Sequence, residues 1–535
     1  MTHTEHFSRR TLGTITIWML GGLIVGGLAI GQDIRPDQIQ FRRQAVRRMI
    51  FDSEQAIPLS GLSPSKTIDL DLMYPDNVPA SERAVCRLDA GNLIVTTGQS
   101  ERSMTRRWIG SVNPFATYEV EVASISGNAA VGIRFDDSES TDFLGAELLF
   151  QNDRPNQVRW TTHIDGNDVQ SPVWELENHF VKGTSCVLRV QMAAVGANVF
   201  IETSGRSQLI GYVDFSQHLE LREKTVAFQY EFMATAELKE SSEVKIRRVT
   251  AAITPGTGQA DIRAITDEQG QPLLDDGRLW FTVTIRGRAL PHPAQGVFSL
   301  NPSVFDLRFE GLIVFDMGDG LLRNELASHL FRDSTTGQWR GWTTGFSAFG
   351  NKGRNESKSI LAVYSDRDPR KGYSIMKARP VGIDGAHEDP HGVYDRRDGK
   401  WRLLLCENAG GYKAAMWESD HWDHGFQRIA GPVEVDSTGT QIQQFGDQRF
   451  ALFGSADRTV YIRSYPDLKP VGELKIHRPP WNDDHGTRIW PNVIPLPSGY
   501  PAPYIALMMD RANFPGMPKR NWTYGALYLY HGDLK

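Results

Sequence analysis

The chain has 535 residues and a formal net charge of −6. It is too long for one ordinary hydrophobic core, so two or three domains are expected. The lack of a basic excess argues against contact with a nucleic-acid backbone. The 50 glycines, 28 prolines, 13 tryptophans and 25 phenylalanines favour a turn-rich all-β protein. The spacing of the three cysteines fits neither a zinc site nor a redox pair.

The first 31 residues are predicted to be a targeting segment. An uncharged run over residues 11–32 is long enough to cross a bilayer and follows the pair Arg9-Arg10. Residues 8–13 resemble a twin-arginine export motif, and residues 29–31 give a small-x-small cleavage site. We therefore expect an exported protein, periplasmic or extracellular. The alternative is an uncleaved signal anchor, in which case only residues 11–32 would contact a membrane.

Strands with period-two alternation follow a short linker. Residues 32–65 are predicted to be this linker, and their basic stretch over residues 41–50 forms either a short helix or more linker. From residue 66 to 252, segments such as 187–192 alternate apolar and polar residues and are separated by turn residues. This pattern predicts a two-sheet sandwich. The strand-glycine-strand order over residues 187–202 resembles the concanavalin or laminin-G jelly roll, which is often attached to secreted carbohydrate enzymes.

A run rich in glycine, threonine, aspartate and glutamine over residues 253–275 predicts a second linker. Beyond it, hairpins with an aromatic second strand recur about every 50–60 residues, which is typical of propeller blades. Residues 276–535 are therefore predicted to form a five-bladed β-propeller. The recurring aromatic residues are Trp339, Trp401, Phe450 and Tyr504. The predicted blades cover residues 279–315, 325–379, 389–428, 438–476 and 488–530.

A propeller brings the openings of its innermost strands together at one central funnel. Aligning the predicted openings places Glu325, Asp389 and Arg488 at equivalent positions. Two carboxyl groups and an arginine in a concave site suit cleavage of a glycosidic bond. One carboxyl protonates the leaving oxygen, and the other acts as base or nucleophile. The arginine binds a sugar hydroxyl or lowers the pKa of a neighbouring carboxyl.

The opening Glu388-Asp389-Pro390 resembles a motif of the five-bladed glycoside hydrolases of families 43, 32, 68, 117 and 130. This resemblance covers residues 276–535 and implies that Asp389 lies at a sugar-binding subsite. These families usually carry an aspartate on the preceding blade and a glutamate on the following one. This chain has Glu325 before and Thr440-Gln441 after, so the carboxylate for the acid role must come from elsewhere.

Further candidates surround these residues. For catalysis, the strand-end residues Glu407 and Asp510 follow Asp389 and Glu325 in order of preference. For sugar binding, polar and aromatic side chains of the loops are predicted, because aromatic faces stack on pyranose rings. These are His387, Glu388, His391, Arg488, Trp490, Trp417, Asp484 and His485. Plainer alternatives exist: Asp389 before proline suits a simple turn, Glu325 can pair with its neighbouring arginine, and strand-end carboxylates are often solvated.

The sequence thus predicts an exported glycoside hydrolase that acts on a poly- or oligosaccharide without a cofactor. A non-catalytic glycan-binding protein is the first alternative, because the fourth blade offers no carboxylate at its opening. A sugar lyase or metal-dependent sugar-modifying enzyme is the second, with His387 or His391 as a base or as ligands of a divalent cation.

Overall fold

The computed structural model describes residues 34–98, 102–176, 185–239, 241–285, 293–347, 356–479, 489–509 and 526–534. Most of these residues are in β-strands. The α-helices among them, Leu70–Met73 and Lys224–Ala227, have 4 residues each, and the 3-10 turns are Pro36–Gln38 and Pro64–Lys66. The predicted all-β class is confirmed. No helix in the described part of the chain is long and apolar enough to span a membrane, and residues 11–32 lie outside that part.

Two sheets form the sandwich. The eight-stranded sheet contains Ile57–Leu62, Val85–Asp89, Asn92–Thr96, Thr117–Ser126, Cys186–Met192, Gly196–Thr203, Arg206–Asp214 and Glu243–Ile253. The seven-stranded sheet contains Arg102–Ser111, Ala129–Asp137, Phe143–Gln151, Arg154–Ile164, Asn167–Gln170, Val173–Glu175 and Tyr230–Lys239. Their facing side chains form one apolar cluster, in which Tyr118, Phe135, Trp160 and Phe232 are fully buried. The alternation of apolar and polar residues therefore reports the two faces of each sheet, as predicted.

Five four-stranded blades form the propeller. From the axis outward, blade 1 is Gln259–Ala264, Arg278–Ile285, Ala294–Asn301 and Asp306–Asp316, and blade 2 is Leu326–Arg332, Trp339–Thr344, Ile360–Ser365 and Gly372–Pro380. Blade 3 is Glu388–Asp395, Lys400–Asn408, Tyr412–Ser419 and Gln427–Ala430, and blade 4 is Thr438–Phe445, Gln448–Gly454, Val460–Ser464 and Pro470–Glu473. Blade 5 is Val493–Pro495, Tyr504–Met509, Leu527–Leu534 and Ile39–Arg47. Short strands at Thr266–Asp267, Leu274–Asp275, Leu322–Arg323 and Lys475–Ile476 extend the sheets. The innermost strands contact one another in blade order and blade 1 contacts blade 5, so the ring closes.

The outermost strand of blade 5 comes from the N-terminal part of the chain. Ile39–Arg47 pairs antiparallel with Leu527–Leu534, so the prediction of a linker over residues 32–65 is wrong for this segment. The reason is that Ile39 and Phe41 point into the core of blades 4 and 5, while Gln40 between them and the basic residues after them are not buried. Ile57–Leu62 is likewise a sandwich strand and not linker.

The second predicted linker, residues 253–275, is also wrong in part. Gln259–Ala264 is the innermost strand of blade 1, and all six of its residues are buried. The sequence did not indicate this strand because it carries Asp261 and Arg263. Charged residues are unexpected on a strand that has no solvent-facing side. Blade 1 therefore begins with the strand Gln259–Ala264, and not at residue 279 as predicted.

The sandwich contacts the first blade directly. Phe115 and Ala194 of the sandwich belong to the same buried apolar cluster as residues of blades 1 and 5. The Nζ of Lys224 donates to the carboxylate of Asp316 at 2.5 Å. These contacts hold the sandwich against the propeller ring.

Candidate active site

Four innermost strands enter the axis through the same backbone kink. The φ angles are 52° at Asp261, 55° at Ala327, 59° at Asp389 and 61° at Gly439, each inside a register shift between the first and second strands of its blade. This left-handed region is costly for a residue with a Cβ, so its repetition marks a constraint of the fold. Asp261 of blade 1 and Asp389 of blade 3 are therefore structural counterparts.

In blade 2 the predicted alignment of the blade openings differs from this one by two residues. The counterpart of Asp389 in blade 2 is Ala327, and Glu325 corresponds to His387. The kink inserts an unpaired residue into each innermost strand, and an alignment by apolar pattern does not see it. Glu325 and Asp389 are thus not equivalent, although both lie at blade openings.

Asp389 is 5% exposed and is held by the next blade. Its Oδ2 accepts hydrogen bonds from the main-chain N–H of Gly439 at 2.8 Å and from the hydroxyl of Thr438 at 3.1 Å. No hydrogen bond to its Oδ1 is present in the described part of the structure. Burial raises the pKa of Asp389, the neighbouring Glu388 raises it further, and Arg263 opposes both. The carboxyl therefore has one anchored oxygen and one oxygen available for a proton.

Arg263 supplies the cation of the site. It follows Asp261 by two residues and is 1% exposed, and its Nη2 donates to the main-chain oxygen of Asp389 at 2.9 Å. Its guanidinium lies over the ring of Trp490, 4.7 Å from the centroid. Burial lowers the pKa of Arg263 to about 10, against the opposing effect of Asp389 and Asp261. One buried cation is thus electrostatically linked to both kinked aspartates.

In blades 2 and 3, the side chain two residues beyond the kink ties the blade to the next one. The Nδ1 atoms of His329 and His391 accept from the main-chain N–H groups of Gly392 at 3.2 Å and Ile442 at 3.4 Å. The two imidazole rings stack with centroids 3.8 Å apart. Burial lowers the pKa of His329 to about 3 and that of His391 well below its usual value, so both rings are neutral. His391, predicted to bind sugar, therefore lies buried among the innermost strands of the propeller.

Glu388 is placed beside Asp389 and paired with a lysine of blade 2. Its carboxylate accepts from the Nζ of Lys358, which also donates to the hydroxyl of Tyr412. Lys358 lines a cavity of about 330 Å³ together with Glu325. The carboxylate of Glu325 accepts from the N–H and the hydroxyl of Ser347 at 2.8 and 2.7 Å, and burial raises its pKa. This cavity brings a buried acid and a buried cation to the margin of blade 2.

Two other predicted residues, His387 and Glu407, form hydrogen bonds close to or within blade 3. The Nε2 of His387 donates to the main-chain oxygen of Asp384 at 2.7 Å, and its Nδ1 accepts from the N–H of Asn408 at 3.1 Å. The carboxylate of Glu407 accepts from the indole of Trp417 and from Arg428, both at 2.9 Å. Trp417 and Glu407, both predicted site residues, are thus hydrogen-bonded to each other.

The remaining predicted residues fall into two groups. Trp490 is 4% exposed, and its indole N–H donates to the main-chain oxygen of Ile262 at 2.7 Å, so it packs at the axis, whereas it was predicted among the sugar-binding side chains of the loops. Arg488, Asp484, His485 and Asp510 lie outside the described residues.

Sequence reasoning missed Asp261 and Arg263. The signal that could have found them is the alternation of Ala260, Ile262 and Ala264 ahead of a hairpin. Among the described residues, no group of three or more histidine, cysteine, aspartate or glutamate side chains is arranged to hold a metal ion.

No protein-family model matches the sequence, and no curated protein is significantly similar to it. Among solved structures, an alpha-L-arabinofuranosidase from Lactobacillus brevis is 10% identical, with a TM-score of 0.35, over 51% of this chain and 90% of its own. Levansucrase from Bacillus subtilis is 12% identical, with a TM-score of 0.37, over 51% of this chain and 84% of its own. A legume lectin-like domain from Entamoeba histolytica is 10% identical, with a TM-score of 0.27, over 36% of this chain and 95% of its own.

Proposed function

We propose that this protein is a glycoside hydrolase that cleaves a poly- or oligosaccharide at the axis of its propeller. The observation that supports this most is the pair of aspartates, Asp261 and Asp389, at equivalent kinks of blades 1 and 3, with Arg263 linked to both. Glycosidic cleavage requires two carboxyl groups whose environments separate their protonation states. The same backbone kink at both positions supports the proposal that the two side chains meet at one axis.

Within this proposal, Asp389 is the general acid. Its pKa is raised, and its Oδ1 is the oxygen without a hydrogen bond in the described structure, so it can hold the proton that passes to the leaving oxygen. Asp261 is the anionic partner that assists water or attacks the anomeric carbon. Arg263 keeps one of the two carboxylates ionised when the other carries the proton. Glu325 would bind sugar hydroxyls in the adjoining cavity.

A second candidate, a glycan-binding protein without catalysis, is supported by blades 2 and 4. Their kinks carry Ala327 and Gly439, so neither offers a carboxylate. The indole of Trp490 fills the space beside Gly439, where a Cβ would lie 2.5 Å from it. In both proposals the N-terminal segment directs the chain to the periplasm or the cell exterior.

The test is a screen of the full-length protein on polysaccharides and aryl glycosides, with Asp389→Asn and Asp261→Asn as variants. Each substitution is expected to lower kcat about 10²- to 10⁴-fold, because each removes a proton-transferring group or its partner. Asp447→Asn is the matched control, since Asp447 is exposed in a hairpin turn of blade 4.

Equal activity of Asp389→Asn and wild type would refute the assignment of the acid. Glycan binding with no hydrolysis by the wild-type protein would favour the second candidate. Loss of activity in Asp447→Asn as well would show that the effect of the aspartate variants is not specific to the axis.

A further inference from the structure

The seven-stranded sheet of the sandwich carries a cavity of about 530 Å³ on its outer face. This volume lies within the range of roughly 300–1,000 Å³ that small-molecule sites occupy. The cavity lies in a different domain from the kinked aspartates, and the proposed hydrolysis makes no use of it. Most of its lining residues are polar or charged, and the charged ones come from six strands of this sheet.

A glycine, Gly145, forms part of the floor of this cavity. It is opposite Arg134 on one neighbouring strand and Thr161 on the other. A Cβ at Gly145 would have only ordinary contacts, the nearest at 3.6 Å, so nothing in the packing requires glycine there. The absence of a side chain at Gly145 leaves open space between the charged groups of the neighbouring strands.

Arginine–carboxylate pairs form the walls. Arg159 donates to Glu147 at 2.6 and 3.0 Å, and Arg102 makes two hydrogen bonds of 2.6 Å to Glu237. Guanidinium and carboxylate groups held side by side present fixed donors and acceptors, which match vicinal hydroxyl groups.

The aromatic side chain at this face is already covered. The guanidinium of Arg134 lies over the ring of Phe143, 3.3 Å from the centroid, and the imidazole of His163 stacks on the same ring at 5.0 Å. Stacking of a neutral sugar on this ring would have to displace one of them. The contacts offered to a ligand are therefore charged and polar.

Arg106 is the guanidinium in the cavity with the weakest pairing. Its nearest carboxylate is Asp136, at 3.6 Å, and the same carboxylate accepts a hydrogen bond from Arg134. Two cations therefore share one anion. Burial lowers the pKa of Arg134, Asp136 opposes this effect, and the charge of Arg106 lowers the pKa further. The side chain of Arg106 makes no hydrogen bond in the described part of the structure. A bound anion would give the guanidinium of Arg106 a hydrogen-bond partner.

We infer that this cavity binds an anionic oligosaccharide, with a carboxylate or sulfate group of the sugar at Arg106 and its hydroxyl groups on the flanking ion pairs. That the anion is borne by a sugar rests on the proposed function of the propeller. The sandwich then selects an acidic glycan, and the propeller acts on the same chain.

The experiment is calorimetric titration of the full-length Asp389→Asn protein, which keeps hydrolysis out of the measurement. The probes are a galacturonate hexasaccharide, a sulfated galactan hexasaccharide and a neutral glucan hexasaccharide. Arg106→Gln removes the charge, and Gly145→Leu fills the cavity while all of its arginines are kept. Arg247→Gln is the matched control, because Arg247 is an exposed, ion-paired arginine of the opposite sheet.

At least one anionic probe is expected to bind more tightly than the neutral one, and more weakly as salt increases. Arg106→Gln is expected to weaken that binding about tenfold or more, and Gly145→Leu to abolish it. Whether the uronate or the sulfated probe binds more tightly identifies the anion. Equal affinity for neutral and anionic probes, equal behaviour of Arg106→Gln and Arg247→Gln, or no binding of any probe would overturn the inference. Failure of hydrolysis at the axis would leave these binding results unchanged.

Discussion

The strand that completes blade 5 offers a sharp test of the fold. Phe41 is fully buried, and a Cβ at Gly532 would lie 2.5 Å from its ring. Phe41→Ala removes a ring that the neighbouring strands cannot replace, so the free energy of unfolding should fall by about 3–5 kcal/mol. That is a large part of the roughly 5–15 kcal/mol that stabilises a typical domain. Urea denaturation should show a lower midpoint at an unchanged slope.

Val46→Ala is the matched control, because Val46 lies on the same strand but is 56% exposed. Its effect on the free energy of unfolding should stay within about 0.5 kcal/mol. Gly532→Ala should also destabilise the protein, since the added methyl group overlaps the ring of Phe41. If Phe41→Ala and Val46→Ala unfold at the same urea concentration, residues 39–47 do not pack as a blade strand.

Three further outcomes are expected. Burial holds the pKa of His329 at about 3 and that of His391 well below its usual value, so their contribution to stability is complete above about pH 6.5, the unfolded-state pKa, and is lost as the pH falls. The urea midpoint should therefore decrease on acidification below that pH, and decrease less in His329→Gln. Lys358→Met leaves the carboxylate of Glu388 without its cation and should cost about 3–5 kcal/mol, most of which the added Glu388→Gln should restore in a double-mutant cycle. Glu407→Gln should keep kcat/KM close to wild type, because two side chains of its own blade hold this carboxylate away from the reaction, and a loss as large as that of the axial aspartates would contradict this placement.

The blades could be predicted from sequence because their pairing is local. Trp401 lies in a hairpin whose first strand ends only a few residues earlier, and Phe450 repeats the arrangement one blade later. Short hairpins leave a period-two pattern and turn residues within one window of sequence. The sandwich was predictable for the same reason.

The strand Ile39–Arg47 could not be predicted, because its partner lies at the other end of the chain. Only two of its residues are buried, and the basic residues after them give it the composition of a linker. Nothing local distinguishes such a segment from an exposed connection.

The candidate site was found only in part. Asp389 was recognised by the proline after it, whereas Asp261 is followed by Ile262 and lies on a strand that reads as polar linker. The left-handed kinks at both residues are properties of the backbone, and nothing in the sequence around either aspartate indicates this conformation. Arg263 was missed with the strand that carries it.

The packing of blade 4 also limits which substitutions this protein can accept. A single substitution cannot place a carboxylate at position 439, because the indole of Trp490 occupies the space of its first carbon atom. That indole is in turn fixed to the main chain of blade 1 and covered by Arg263. Gly439→Glu becomes compatible with the ring only together with a smaller residue at position 490. Residues 439 and 490 are therefore expected to change as a pair, with the tryptophan replaced first.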